Sequence, residues 1–404
     1  MSTRLKLEDV TLLKTGNEKK IKKKFGRKKI KLVNGEGMTA LHIVCSSQPK
    51  LEIIQHLIEC RSDVNSVDLT RHTPLHRLLR DQVEPGIEIV QYLINCGAHV
   101  NSRQLGGWTP FHFVCSHPKP NLKIAKLLLQ NGAKINLKRY DGKTALHFVC
   151  ESRKIENAPN VIKFLIGKGA DVNIPDMLGQ TPFHFVCLNQ SCTFDLIRFF
   201  ISKGANLQST DSAGWQPLHW ACHNSPLTVK MAKYLIKKGA NVNSKTSSNS
   251  TCLHFACAYG LNLKIINLLI QSGAEVNCRD QDGYTPLHYA CVYNLNIDIL
   301  KLLFNSGSDL NVQDKQGNTP LQWICKVAHP EREKINLFLK NGVDLSITNK
   351  AGKTALHWIC SSKGEIDTDL IRLLINLGSP LKLQDNLGKT PIYLLSENLL
   401  RRLK

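Results

Sequence analysis

Residues 281–312 read QDGYTPLHYACVYNLNIDILKLLFNSGSDLNV, a stretch that contains one complete structural unit. Gly283 marks a turn, and Thr285-Pro286 opens a helix, because proline is tolerated at a first helical position. Leu287, Ala290 and Cys291 form an apolar stripe at helical spacing before residues 294–296 (NLN) interrupt it. A second amphipathic helix follows, with Ile297, Ile299, Leu300, Leu302, Leu303 and Phe304 apolar around Asp298 and Lys301. Gly307 closes it at the flank position that needs a left-handed backbone. Such a unit cannot hide its apolar surface alone, but stacked copies can.

The copies are present. The threonine place recurs at Thr39, Thr73, Thr109, Thr144, Thr181, Gln216, Thr251, Thr285, Thr319, Thr354 and Thr390, at intervals of 34 to 37 residues. These eleven units occupy nearly everything after residue 30. Around the threonine the letters vary little: TALHIVC begins at Thr39, TPFHFVC at Thr109 and Thr181, TALHFVC at Thr144 and TALHWIC at Thr354.

This pattern resembles the ankyrin repeat, whose mark is T-P-L-H-x-A within about 33 residues. Glycine stands two residues before most of the threonines, and Asn65, Asn101, Asn136, Asn173, Asn243, Asn277 and Asn311 stand eight before theirs. The resemblance covers residues 32–404 and implies an all-α solenoid of stacked helix-turn-helix units with hairpin-like tips. The Gly-His usual between the two helices is missing, and the units are longer than the family norm. The added residues fall at that surface turn, as in 46–50, 80–86 and 151–160, where length costs little closure entropy. Arg71 and Asn249 replace the turn glycine, so those two tips are expected to differ in shape.

Composition agrees with a repeat array. Of 404 residues 42% are apolar, which excludes disorder throughout, and only 6% are aromatic, which suits repetitive aliphatic packing. No apolar run approaches the ~20 residues that span a bilayer. MSTRLKLEDV holds no apolar signal region, and fourteen cysteines diluted in so long a chain read as reduced thiols. The expected setting is the cytosol or nucleus.

Charge divides the chain in two. Residues 1–31 hold twelve Lys/Arg against three acids, whereas 32–404 hold 41 against 29. The head, 1–31, is read as a divergent cap or a flexible tail. Its NEKKIKKKFGRKKIKL (17–32) suits a nuclear-localisation or nucleic-acid patch. As a helix it could rest on anionic lipid, with Ile21, Phe25, Ile30 and Leu32 as a thin apolar face. Residues 32–404 form the array, with a C-terminal capping unit at about 381–404 whose open side Glu397, Arg401, Arg402 and Lys404 would cover.

Eight His-x-x-Cys pairs raise the question of metal. One unit supplies two ligands and the next pair lies a repeat away, roughly 10 Å, whereas zinc needs four converging groups. Leu79 and Gln322 also break the pairing. The cysteines are therefore read as small buried hydrophobes, and no metal or cofactor is expected. The resemblance implies that the histidine orders the helix start and the neighbouring repeat. No phosphate loop, H-E-x-x-H or paired C-x-x-C occurs, so no catalytic residue is assigned and an enzyme is not expected.

The resemblance also places binding on a concave face formed by tips and first-helix ends. Its places lie four, three and one residues before the threonine, and seven and eight after it. Aromatic and histidine side chains there make Trp108, His117, Tyr140, Trp215, His223, Tyr259, Tyr284 and Tyr293 the candidate contacts. Trp220, Trp323 and Trp358 are expected to pack between units, and Lys315, Lys326, Lys350, Lys353 and Lys389 make the C-terminal tips basic. The expectation is a monomeric scaffold or adaptor that binds a protein or peptide on this face. The alternative is an adaptor tethered to nucleic acid or anionic membrane, with an anionic partner for residues 14–31.

Overall fold

The computed structural model describes residues 5–25, 32–155, 157–189, 193–224, 227–293, 296–326, 331–361 and 367–402, and side chains among these except at 224 and 397–402. Ile30, Glu397, Arg401, Arg402 and Lys404, each given a role above, lie outside the described side chains. Twenty-three helices and one isolated bridge, Val33 with Thr39, make up the described secondary structure. The chain forms two compact units, Met1–Asn206 and Leu207–Lys404.

In the first unit five helix pairs follow the predicted phase, from Ala40–Ser46 with Leu51–Glu59 to Pro182–Leu188 with Phe194–Ser202. The second unit holds five more pairs, from Pro217–Asn224 with Val229–Lys237 to Ala355–Ser361 with Thr368–Asn376, then the helix Pro391–Arg402. The opening stretch behaves as drawn from sequence: Pro286–Val292 and Ile297–Asn305 are helical, and Gly307 sits at φ +84°. Within each unit successive first helices pack on one another, with Leu41, Leu75, Leu146, Leu253 and Leu287 nearly inaccessible in the seam.

The head is folded where it is described. Leu7–Thr15 and Glu18–Lys24 form a short helix pair that packs on Ala40–Ser46 and Leu51–Glu59. Leu13, Ile21 and Phe25 are fully buried in it, and His56 Nε2 donates to the Phe25 carbonyl at 2.9 Å. Ile21 and Phe25 therefore face protein, which leaves that helix no apolar face for lipid.

Three hydrogen-bonded ladders join neighbouring repeats. At the tips a backbone N–H donates to the preceding tip, as Leu105 to Thr70 at 3.1 Å and Lys350 to Gln316 at 2.9 Å. At the far edge an asparagine bridges two backbone groups. Asn65 Nδ2 donates to Gly97 O at 2.8 Å while its Oδ1 accepts from His99 N at 2.8 Å, and Asn277 does the same with Gly307 and Asp309. Between these lies the histidine. His147 Nδ1 accepts from Thr144 N at 3.0 Å, and its Nε2 meets Gln180 O of the next repeat at 3.1 Å. His254 and His288 repeat both contacts. A peptide N–H can only donate and a carbonyl only accept, so these rings are neutral with the proton on Nε2. Burial pushes His76, His112, His147 and His288 down to about 4, helped at His147 by the Lys143 charge.

Gln322 stands where the ninth unit lacks histidine and does the same work. Its Oε1 accepts from Thr319 N at 3.1 Å, and its Nε2 donates to Ile347 O at 2.7 Å. The cysteine three residues beyond eight of these histidines and beyond Gln322 fills the helix seam: Cys45, Cys222, Cys257 and Cys325 are fully buried. Burial raises their thiols where a shift is resolved, Cys257 to about 12, so thiolate chemistry is suppressed there. Cys252 and Cys278 are buried as well, and Cys60 and Cys96 half-buried.

The tips at Arg71 and Asn249 do not differ in shape as expected. Both adopt the left-handed backbone, φ +63° and +61°, and close the same turn, Arg71 N onto Asp68 O and Asn249 N onto Thr246 O. The tip-to-tip ladder imposes the conformation whatever the residue, at a cost of about 1 kcal/mol for a side chain with a Cβ. Gly107 and Gly142 have a second reason to be glycine. A Cβ there would lie 2.7 Å from Tyr140 N and 2.6 Å from Met177 N of the next tip.

Two outcomes follow for the histidine ladder. His147→Gln should be nearly neutral in chemical unfolding, by the precedent of Gln322, whereas His147→Ala should cost about 2–4 kcal/mol through a cavity and two unpaired buried groups. The pH dependence has a definite sign. Below the ordinary value of 6.5 the unfolded chain takes up protons that these buried rings refuse until about 4. Stability should therefore be full above 6.5 and fall toward pH 4, with the melting temperature dropping on the order of 10 °C per pH unit below 6. Calorimetry between pH 7 and 4.5 checks this.

Candidate interaction surface

The face carried by the tips and first helices is organised by an aspartate five residues before the threonine. Its Oδ1 accepts the N–H groups two and four residues on, as Asp314 does from Gln316 and Asn318 at 2.9 and 2.8 Å, which shapes the tip. Its Oδ2 reaches the residue nine further along, on the first helix. Asp211 and Asp314 take Trp220 and Trp323 Nε1 at 3.0 and 2.8 Å, and Asp280 takes the Tyr289 hydroxyl at 2.8 Å. In the second repeat the donor is Arg77, buried beside Asp68 with Nε at 2.7 Å. Burial works to raise the Asp68 carboxyl, but hydrogen bonds from Thr70 and Arg77 outweigh it and hold it near 2.

In the second unit these bonds fix an aromatic row, whereas in the first, where Gln104 and Arg139 hold the aspartate's place, the row is held by ring stacking. In the first unit Trp108 stacks on Phe113 at 4.9 Å and on Phe148 at 4.8 Å, and the Arg139 guanidinium covers Trp108 at 4.5 Å. Trp108 is thus committed within the fold and half-buried. Arg139 pairs with Asp141 at 3.3 Å. Lys143 Nζ lies 4.8 Å above the Phe185 ring and 2.7 Å from Glu151. Tyr140 stands 55% exposed at its tip. His117 ends the helix Pro110–Ser116 and accepts from Lys119 N at 3.1 Å, apart from the aromatic stack.

The second unit brings its candidates into two clusters. His223 meets Trp215 edge-on at 5.2 Å and Tyr259 at 4.4 Å, and Trp215 packs on Phe255 at 4.3 Å. Burial lowers the His223 pKa and raises that of Tyr259. Tyr284 touches Tyr289 at 5.5 Å and Trp323 at 5.8 Å, and Tyr293 stacks on Tyr289 at 6.2 Å with the rings 3° from parallel. Burial, with Asp314, Asp282 and Asp280 nearby, pushes the Tyr284 phenol up to about 12. Tyr259 and Tyr293 are 49% and 57% exposed, whereas Trp215 and Tyr284 are half-buried.

Reading position by position missed Phe113, Phe148, Phe255 and Tyr289, which carry these clusters. Trp220, Trp323 and Trp358, expected between units, stand half-buried on this face. The signal was available, since all seven lie four residues after the threonine place. Toward the C-terminus the row becomes basic. Lys326 Nζ sits 4.3 Å from the Trp323 ring centre and 5.2 Å from that of Trp358, and Lys353 Nζ 4.7 Å from Trp358. Among the described residues, no group of three or more His, Cys, Asp or Glu is placed to hold a metal ion, and no helix is long and apolar enough to cross a membrane.

Helix pairs, tips and an aromatic face of this form define a repeat-type interaction module. The chain matches the family described as ankyrin repeats (3 copies) over residues 6–104, 82–176, 154–246, 228–314, 253–332 and 292–367, and it belongs to that family. Comparison with curated proteins gives no match. Ankyrin repeats generally mediate protein–protein interactions.

One departure gives a direct check on the tip aspartate. The tenth repeat carries Asn349 in its place, and Trp358 Nε1 is buried without an acceptor among the described residues. Asn349→Asp should supply the acceptor seen at Asp314–Trp323 but give up the bond that Asn349 Nδ2 donates to Asn318 Oδ1 at 2.8 Å. Urea unfolding should therefore show a net change of less than about 1 kcal/mol, whereas Trp358→Phe, which removes the unpaired donor and keeps that bond, should be neutral or stabilising.

Proposed function

We propose that this chain is a non-enzymatic scaffold or adaptor, acting as a monomer in the cytosol or nucleus, that binds a protein or peptide on its tip and first-helix face. The observation that carries this reading is the pair of half-exposed tyrosines, Tyr259 and Tyr293. Each rests on a structured aromatic neighbour and offers its outer surface to solvent. Rigid amphipathic rings held from below lose little entropy on contact, which is why such residues recur as interface anchors. Trp215, His223 and Tyr284 support them from within the clusters, and Tyr140 supplies a separate exposed ring on the first unit.

A second reading rests on the head. Lys14, Lys19, Lys20, Lys22 and Lys23 are exposed on the helix pair, which supports capture of an anionic partner by charge. With Ile21 and Phe25 buried, that capture would not involve insertion into lipid. Residues 5–25 are read as a folded basic cap on the array, and the last helix as its C-terminal counterpart.

Affinity capture with quantitative mass spectrometry separates the two readings. Tyr259→Ala with Tyr293→Ala should release the partner, with at least tenfold less recovered. Lys19, Lys20 and Lys23 to Gln should leave recovery unchanged. These exposed substitutions spare the buried contacts that deletion of the head would destroy. Loss on the lysine changes alone would move the binding site to the head.

A further inference from the structure

On the tip and first-helix face, cations over aromatic rings differ between the two units. In the first, Lys143 above Phe185 is completed by Glu151, and Arg139 above Trp108 by Asp141. In the second, Lys326 and Lys353 lie over Trp323 and Trp358 with no carboxylate within ion-pair distance among the described residues. The sequence shows why. Apart from Asp314, which is buried and taken up by the tip N–H groups and Trp323 Nε1, the tips and first helices of these two repeats, residues 314–330 and 345–364, contain no Asp or Glu. Lys326 stands seven residues after its threonine, the place Glu151 holds in the fourth repeat, so the carboxylate has been replaced by a second ammonium. Lys315 and Lys350 add exposed charges at equivalent places on the two tips.

We infer that the face built by Lys315, Trp323, Lys326, Lys350, Lys353 and Trp358 docks an extended acidic polypeptide segment, whose carboxylates take the role that Glu151 plays in the first unit. The inference rests on the partner-binding surface proposed above and names the chemistry of one partner segment.

Spacing and ring geometry both favour this occupant. Neighbouring repeats lie about 9 Å apart by helix packing, and a segment extended as polyproline II returns a side chain to the same face every third residue, about 9 Å along, so acids at every third position keep step with successive lysines. Single-stranded nucleic acid fits less well, because it is held by bases stacked on free aromatic faces. Here ammoniums already cover the faces of Trp323 and Trp358, and Trp323 has Tyr284 at 5.8 Å and its Nε1 bound to Asp314. What the face presents outward is point charge held by rings, which suits carboxylates.

The test uses the full chain and a fluorescein-labelled peptide of about twelve residues with Glu at every third position, read by anisotropy. Controls are the same peptide with Gln for Glu and an oligothymidylate of equal charge. The Glu peptide should bind, and the Gln peptide at least tenfold more weakly. Lys326→Glu with Lys353→Glu should abolish Glu-peptide binding and create binding of the matching Lys peptide. That gain cannot come from a misfolded protein. Binding should also change the intrinsic tryptophan emission, because the ammoniums over Trp323 and Trp358 acquire counter-charges.

Equal affinity for the Glu and Gln peptides would overturn the inference, as would Glu-peptide binding that survives the double charge reversal. Oligothymidylate binding as tight as the Glu peptide, lost with the same reversal, would reassign the face to nucleic acid. The broader reading is tested elsewhere. Tyr259→Ala with Tyr293→Ala bears on partner capture without touching these lysines, so failure of either reading leaves the other standing.

Discussion

The imidazole at the start of most first helices receives a backbone N–H on Nδ1, and in His42, His76, His147, His254 and His288 it gives its Nε2 proton to a carbonyl of the next repeat. One rigid ring thus caps a helix and sets the distance to its neighbour. Both contacts demand the neutral form, because a protonated Nδ1 would meet the threonine N–H donor to donor. Everything the face displays depends on this spacing. The tip-to-tip hydrogen bonds, the asparagine bridges and the aromatic stacks all join atoms one repeat apart. The cysteine on the same helix belongs to that arrangement. A buried sulfur lets first helices approach closely and brings no polar group that needs a partner.

Because the repeat is held by so few positions, the others are free to vary, and each helix start shows how far. At the place four residues after the threonine, Arg77, Phe113, Trp220, Tyr289 and Trp323 occupy one niche. A carboxylate behind it accepts from guanidinium, indole or phenol alike, and where the residue is Phe the ring stacks instead. The surface therefore changes its chemistry from repeat to repeat without a change of backbone. A repeat protein can in this way alter what it recognises while its fold stays put.

The period, the helix phases and the structural part played by histidine and cysteine were legible in the sequence because each depends on local spacing repeated many times. Single substitutions were harder to read. Gln322 looks like a loss of the histidine and proves to be a replacement, since a carboxamide offers the same acceptor and donor. Arg71 and Asn249 look like altered tips and are not, because hydrogen bonds from neighbouring tips outweigh a modest backbone preference. On the face, exposed Tyr259 and Tyr293 could be picked out from their places alone. The ring-on-ring neighbours could not, because contacts such as Trp108 on Phe148 join residues forty positions apart. Trp108, a contact candidate, is by these contacts also a half-buried support.

The end of the second unit shows stability and surface charge pulling in different directions. Asp211, Asp280 and Asp314 each satisfy an aromatic donor, yet the tenth repeat carries Asn349 and leaves Trp358 Nε1 without an acceptor among the described residues. In the eleventh, Asp385 Oδ2 has no donor among the described residues, because Leu394 stands where the others place Trp or Tyr. An aspartate at 349 would repair the first defect but would set a carboxylate beside Lys350 and Lys353 in a stretch that otherwise holds only positive charge. Asparagine keeps the Oδ1 contacts that shape the tip, to Ala351 N and Lys353 N, while adding no negative charge. A buried polar atom left unpaired costs about 1–3 kcal/mol, so its persistence here calls for a compensating gain. The local gain is a buried hydrogen bond, since Asn349 Nδ2 donates to Asn318 Oδ1 of the preceding repeat at 2.8 Å, which a carboxylate could not do, and the neutral amide also leaves the field of these lysines uncancelled.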